Sequence, residues 1–165
     1  MWYAILGAVL LAGDQILKYW VVTHLAVGES APFLPGFMQL TRLHNYGAAW
    51  SSLSGRTVLL VVFTAVLLAA VALLLIKKVV RHWTGITACT LILSGGIGNI
   101  IDRIVHGYVV DMFDLQLFSY PVFNLADCCV VAGAILGGIY YLFLYEKYDK
   151  KKKESDHAHD PSDPS

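Results

Sequence analysis

The sequence predicts an all-α membrane protein: four transmembrane helices, with a small extracytoplasmic β-sheet between the first and the second. Three observations carry this expectation. Hydrophobic residues make up 57% of the 165 residues and mean hydropathy is +0.61, outside the range of soluble globular chains. Four apolar segments are each long enough to cross about 30 Å of hydrocarbon as a helix of roughly 20 residues. Between the first two lies a segment of turn residues and alternating polarity, the signature of a short hairpin.

The first span runs from about Trp2 to His24. It lacks a basic leading region and an A-x-A site, and it carries Asp14, Gln15 and Lys18, so it reads as a permanent span rather than a cleaved signal peptide. Asp14 and Lys18 stand four apart, the spacing of an intrahelical ion pair, and are assigned a structural role. Residues 25–56 form the loop that follows. Pro32 and Pro35-Gly36 mark turns, and FMQLTRLHN alternates as a strand does. A small sheet lying on the bilayer is expected here, with residues 28–55 acting as a mobile lid.

The second span, about Thr57 to Ile76, is apolar throughout and is expected to face lipid as a scaffold. The third, about Trp83 to Ile104, carries Gly95, Asn99 and Asp102, with His106 beyond it. Steps of four, three and four place these residues on one helical stripe. Gly95, Gly96 and Gly98 admit close approach of another backbone. Asp102 reads as structural, and Arg103 can snorkel or reach an acid. The fourth span is expected from about Tyr120 to Tyr145, with Pro121 near its start and Asn124 and Asp127 on one face. On that reading Asp127 lies about 10 Å inside the helix. Gly133 and Gly137, four apart, are a second close-packing signal.

Basic residues set the expected orientation. Lys77, Lys78 and Arg81 lie between spans two and three, and Lys147 with Lys150 to Lys153 follows span four. The positive-inside rule makes both regions, and hence both termini, cytoplasmic. Residues 25–56 and about 105–119 then emerge outside. Residues 1–148 are expected to form one four-helix domain and 149–165 a disordered cytoplasmic tail.

A formal net charge of zero gives no electrostatic case for a nucleic-acid partner. Cys89, Cys128 and Cys129 lie in apolar runs and read as small buried hydrophobes. Nothing fixes His44 or His106 beside a cysteine as a base, and no HExxH or CxxC spacing marks a zinc site. Attention falls instead on Asp111 and Asp127. Neither has a cation close in sequence, and the hairpin of spans three and four lets them meet. Asp114, in the same loop, is expected to face water. From the residues alone two readings of the pair stay open, structural pairing with cations or joint action on a substrate. Two carboxylates that share one proton leave a base and an acid near neutral pH, as in an aspartic protease. A proton-coupled transporter would instead distribute carboxylates at mid-membrane with a path to both sides. A membrane scaffold would not need Asn99, Asn124 and Asp127 on packed faces.

Five blocks, in order, resemble the lipoprotein signal peptidase (signal peptidase II) family: DQILK at 14–18, NYGAAW at 45–50, GGIGNIIDR at 95–103, GYVVDMFD at 107–114 and FNLAD at 123–127. The resemblance implies a membrane aspartic endopeptidase with Asp111 and Asp127 as catalytic dyad and no cofactor or metal. It implies that Asn45, Gly47, Asn99, Arg103 and Asn124 bind substrate or support the site, and that Asp14, Lys18 and Asp102 are structural. The implied substrate is a prolipoprotein whose cysteine carries diacylglycerol, cleaved on the N-terminal side of that cysteine at the outer face of a bacterial inner membrane. The enzyme is expected to act as a monomer among membrane lipids. Trp50 and Met112 stand where the family usually has Phe; both keep bulk and bear on the pocket wall.

Overall fold

The polar third span is the most enclosed of the four, and the rest of the molecule is arranged around it. The computed structural model describes residues 1–47 and 56–150. Its elements are α1 (Trp2–His24), β1 (Ser30–Leu34), β2 (Met38–Asn45), α2 (Thr57–Ile76), α3 (Trp83–His106), β3 (Val109–Leu115) and α4 (Leu125–Ile139), which continues as π-helical turns over Tyr140–Lys150. Half of the most apolar stretch of α3 is buried, against 6% for α2. All four helices, the last counted as Leu125–Phe143, are long and apolar enough to cross a membrane.

Small residues let α3 take this central place. A β-carbon on Gly95 would collide with the carbonyl of Ala126 and stand 3.1 Å from Cys129 Cβ. One on Gly96 would sit 2.6 Å from Leu68 Cδ2. From the other side, one on Gly133 would come within 2.9 Å of the Ala88 carbonyl. The glycines therefore seat α2 and α4 directly on the α3 backbone, as small residues do where helices pack in lipid. Only Leu60 and Leu68 of α2 are buried, as its unbroken apolar sequence leads one to expect.

The expected sheet is present between α1 and α2, as β1 and β2, and gains one more strand. It has three antiparallel strands in the order β1-β2-β3, and the third comes from the connection between α3 and α4, not from the loop after α1. Pro35-Gly36 turns the β1–β2 hairpin, with Gly36 at φ +74° and Phe37 N–H donating to Leu34 O at 3.0 Å, the pattern of a type II turn. Arg42 donates to the Val22 and Leu25 carbonyls at 3.0 and 2.9 Å. It thereby caps the C-terminus of α1 and ties the sheet to it. Val21, Leu25, Val110 and Met112 form the core between sheet and helix. Met112 is fully buried there, so it belongs to this core rather than to a pocket wall. Trp50 lies outside the described residues, as does the portion of the expected lid at 48–55.

Two further boundaries are corrected. Gly107 takes a left-handed conformation (φ 81°) and ends α3. The fourth helix begins at Leu125, not near Tyr120: Tyr120 precedes a proline and is biased away from helix, and Phe113 bridges Phe123. Asn124 is the N-cap, in a reciprocal capping box with Asp127. At the opposite end, Asp149 was expected to open a disordered tail. It is instead buried, accepting the backbone N–H groups of Arg81 and His82 and the Tyr140 hydroxyl.

Candidate active site

The two aspartates reach one cavity by different routes. Asp111 sits on β3, opposite Leu43 of β2. Asp127 occupies the third position of α4, in its first turn rather than deep in the span. Both line a cleft of about 770 Å³, together with Asn45, Asn99, Arg103 and a wall that includes Tyr120, Val122 and Phe123.

Three asparagines hold the carboxylates. Asn124 Nδ2 donates to Asp111 Oδ1 at 2.7 Å, and Asn45 Nδ2 donates to Asp111 Oδ2 at 2.9 Å. Asn99 Nδ2 donates to Asp127 Oδ1 at 2.8 Å, while Asp127 Oδ2 accepts the Asn124 backbone N–H. Asn124 also donates to Asn99 Oδ1 at 3.3 Å, completing a chain from one aspartate to the other. The amide orientations are fixed by their neighbours. Asn124 Oδ1 must be oxygen because it accepts Asp127 N–H at 2.9 Å. Asn99 Oδ1 must be oxygen because it faces the Lys18 ammonium at 3.1 Å.

Asp111 is 1% exposed. Burial, then the neighbouring Asp127 charge, pushes its carboxyl up to about 7, against the hydrogen bonds of Asn45 and Asn124 and the charge of Lys18. A proton is therefore available in the site at neutral pH. His44, on the cavity wall, is held below its usual value by burial, Arg42 and His106.

The remaining expected residues fall around this centre. Arg103 Nη2 donates to the Gly47 carbonyl at 2.8 Å, and Gly47 N–H donates to Asn45 Oδ1 at 2.9 Å, so these three form one clamp beside Asp111. Lys18 pairs with Asp14 at 2.8 Å, the i,i+4 contact expected from the sequence, and also with Asp102 at 3.0 Å. Of the expected α3 stripe, Gly95, Asn99 and Asp102 face inward. His106 is exposed and its ring stacks toward Tyr108. Asp114 does not face water alone; it accepts from Gln39 at 2.7 Å and Thr41 at 3.2 Å across the strands.

Gln15 is a residue the sequence reading left without a role. Its amide donates to Asp14, to the Gly98 carbonyl and to Asp102. The signal for it was a lone amide in an apolar span beside Asp14.

A family model described as signal peptidase (SPase) II matches residues 6–143. The chain belongs to the signal peptidase II family. Similar proteins named lipoprotein signal peptidase include one from Enterococcus faecalis, 40% identical over 92% of this chain and 93% of its own length. Another, from Lactococcus lactis, is 38% identical over 87% of this chain and 91% of its own. Two solved structures of bacterial membrane enzymes, determined by the in meso method, superpose with TM-scores of 0.79 and 0.79. They are 27% identical over 99% of this chain and 94% of theirs, and 33% identical over 86% and 93%. As a signal peptidase II family member the chain is a peptidase, a multi-pass membrane hydrolase with four spanning helices.

Proposed function

We propose that this peptidase removes the signal peptide from diacylglyceryl-modified prolipoproteins, using Asp111 and Asp127 to activate water. The observation that carries the reading is the single cleft in which both carboxylates open, joined through Asn124 and Asn99. One carboxylate takes a proton from water as it attacks the scissile carbonyl, while the protonated partner hydrogen-bonds the carbonyl oxygen. The proton then passes to the leaving amine, and the pair regains its single shared proton. The two carboxyls titrate as a unit, so acid and base belong to the pair.

Depth fits the substrate. Asp127 lies in the first turn of α4 and Asp111 in the sheet beside it, at one end of the spans. A lipidated cysteine at the end of a signal-peptide helix is anchored at that level, and cleavage falls on its N-terminal side. The basic residues at the other end of the bundle support cytoplasmic termini and an outward-facing site in the inner membrane. Action as a monomer is part of the same proposal.

The test is to incubate solubilised protein with a diacylglyceryl-modified prolipoprotein, with EDTA throughout, and follow the products by mass spectrometry. Wild type is expected to release the signal peptide, and Asp111→Asn and Asp127→Asn to leave it attached. Cleavage surviving both substitutions would sink the dyad.

A further inference from the structure

Behind the dyad, away from the cleft, lies a closed ionic cluster. Lys18 is 3% exposed and Asp14 and Asp102 are 1% and 2% exposed. The Lys18 ammonium has three protons and meets three acceptors: Asp14 Oδ2 at 2.8 Å, Asp102 Oδ2 at 3.0 Å and Asn99 Oδ1 at 3.1 Å. Each carboxylate in turn grips the backbone. Asp14 Oδ1 accepts the N–H of Ala126 at 2.9 Å, and Asp102 Oδ2 accepts the N–H of Val110 at 3.0 Å. Ala126 and Val110 are the residues immediately before Asp127 and Asp111.

A structural ion pair alone has no need of this arrangement. One cation joins the two anchors that set where each aspartate leaves the backbone. Its third proton orients the Asn99 amide so that an N–H, and not a carbonyl oxygen, faces Asp127. We propose that Lys18 is a positioning residue for catalysis, fixing the separation of the two aspartates and the direction of the Asn99 amide. This rests on the dyad reading above. Without the ammonium, Asn99 Oδ1 keeps only its 3.3 Å contact with Asn124, which holds the amide less firmly against Asp127.

Other charges bear on the same site. Asp14 and Lys18 face it from α1, Asp102 and Arg103 from α3, and His44 from β2. Lys18→Met alone strands two buried carboxylates and endangers folding. The Asp14→Asn/Lys18→Met/Asp102→Asn variant removes the charges together while retaining oxygens that can accept the Ala126 and Val110 N–H groups. The experiment measures thermal unfolding, kcat and KM of this triple variant on a diacylglyceryl-modified prolipoprotein, beside wild type and Asp111→Asn. The expected result is wild-type-like unfolding, KM unchanged, and kcat lowered about 10- to 100-fold, as misplacement of reacting groups costs. In parallel, Lys18→Met assayed below its unfolding temperature is expected to move the pH–rate profile to higher pH, because a cation that favours the ionised pair is gone.

A folded triple variant with wild-type kcat, or one that loses only KM, would overturn the positioning role and leave the dyad standing. An unshifted pH profile in Lys18→Met would do the same. Full activity in Asp111→Asn would overturn the dyad, and the role of Lys18 with it.

Discussion

Asn124 donates its side-chain N–H to Asp111 Oδ1 at 2.7 Å. The other end of the same amide accepts the backbone N–H of Asp127 at 2.9 Å. One side chain thus caps α4 and orients a carboxylate on a different element, so stability and catalysis meet in it.

These two duties separate by substitution. Asn124→Ala loses the cap, worth about 1 kcal/mol, and one of the two amide donors to Asp111, leaving that of Asn45. Asn124→Ser keeps a capping oxygen but cannot reach Asp111. The serine variant is expected to recover most of the alanine variant's loss in unfolding temperature. Its kcat should stay roughly 100-fold below wild type. Equal kinetic recovery would show that capping alone carries the role of Asn124.

Asp111 sets a pH dependence whose sign is determined. Its carboxyl titrates at about 7 when folded, against an ordinary 3.8. Between those values the native state binds more protons than the unfolded chain, so stability falls as pH rises through that window. Above it the penalty for Asp111 amounts to roughly 4 kcal/mol. Asp111→Asn removes it. It also sets an amide NH2 against one of the donors of Asn45 and Asn124, a cost independent of pH, so thermal scans should show the stability of Asp111→Asn relative to wild type rising from pH 4 to pH 8. On the same ground, wild-type kcat should decline as pH rises past about 7, where the shared proton is lost.

Close packing at Gly95 is the third testable point. A β-carbon there meets the Ala126 carbonyl, one residue from Asp127, whereas one on Gly138 meets nothing within 4 Å. Gly95→Ala is expected to push α4 off α3, costing about 1–3 kcal/mol as overpacking does, and to reduce cleavage by shifting Asp127. Gly138→Ala should leave cleavage unchanged. A Gly95→Ala protein with wild-type unfolding and turnover would mean the helices adjust without moving the site.

What could be read from the chain was what depends on neighbours in sequence. The Asp14–Lys18 pair follows from a spacing of four, and the inward facing of Gly95, Asn99 and Asp102 from helical periodicity. The third strand was hidden because β3 is buried on both faces over Val109–Met112, so VVDM shows no alternation to mark it. The start of α4 was hidden because YPVF continues the apolar run of the helix. The visible clue was Asn124 three residues before Asp127, the spacing of a capping box. The join of Lys18 to Asp102 and Asn99 needs α1 laid against α3, and no local pattern announces it.

Arg103 offers the last prediction. Its guanidinium donates to the Gly47 carbonyl at 2.8 Å and to the Asn99 carbonyl at 3.3 Å, bridging α3 to the segment just past β2. Gly47 in turn holds Asn45, which holds Asp111. Removal of the guanidinium releases this clamp and also removes a cation from the cleft wall. Arg103→Ala should therefore raise KM and lower kcat together, since both the substrate surface and the orientation of Asp111 are touched. Lysine supplies one donor in place of a fork. Arg103→Lys should recover part of kcat through Gly47 but not the bridge to Asn99. Steady-state kinetics of the two variants decides the matter: a lysine variant no better than alanine would mean the fork itself is required, and an alanine variant with unchanged kcat would remove Arg103 from the support of Asp111.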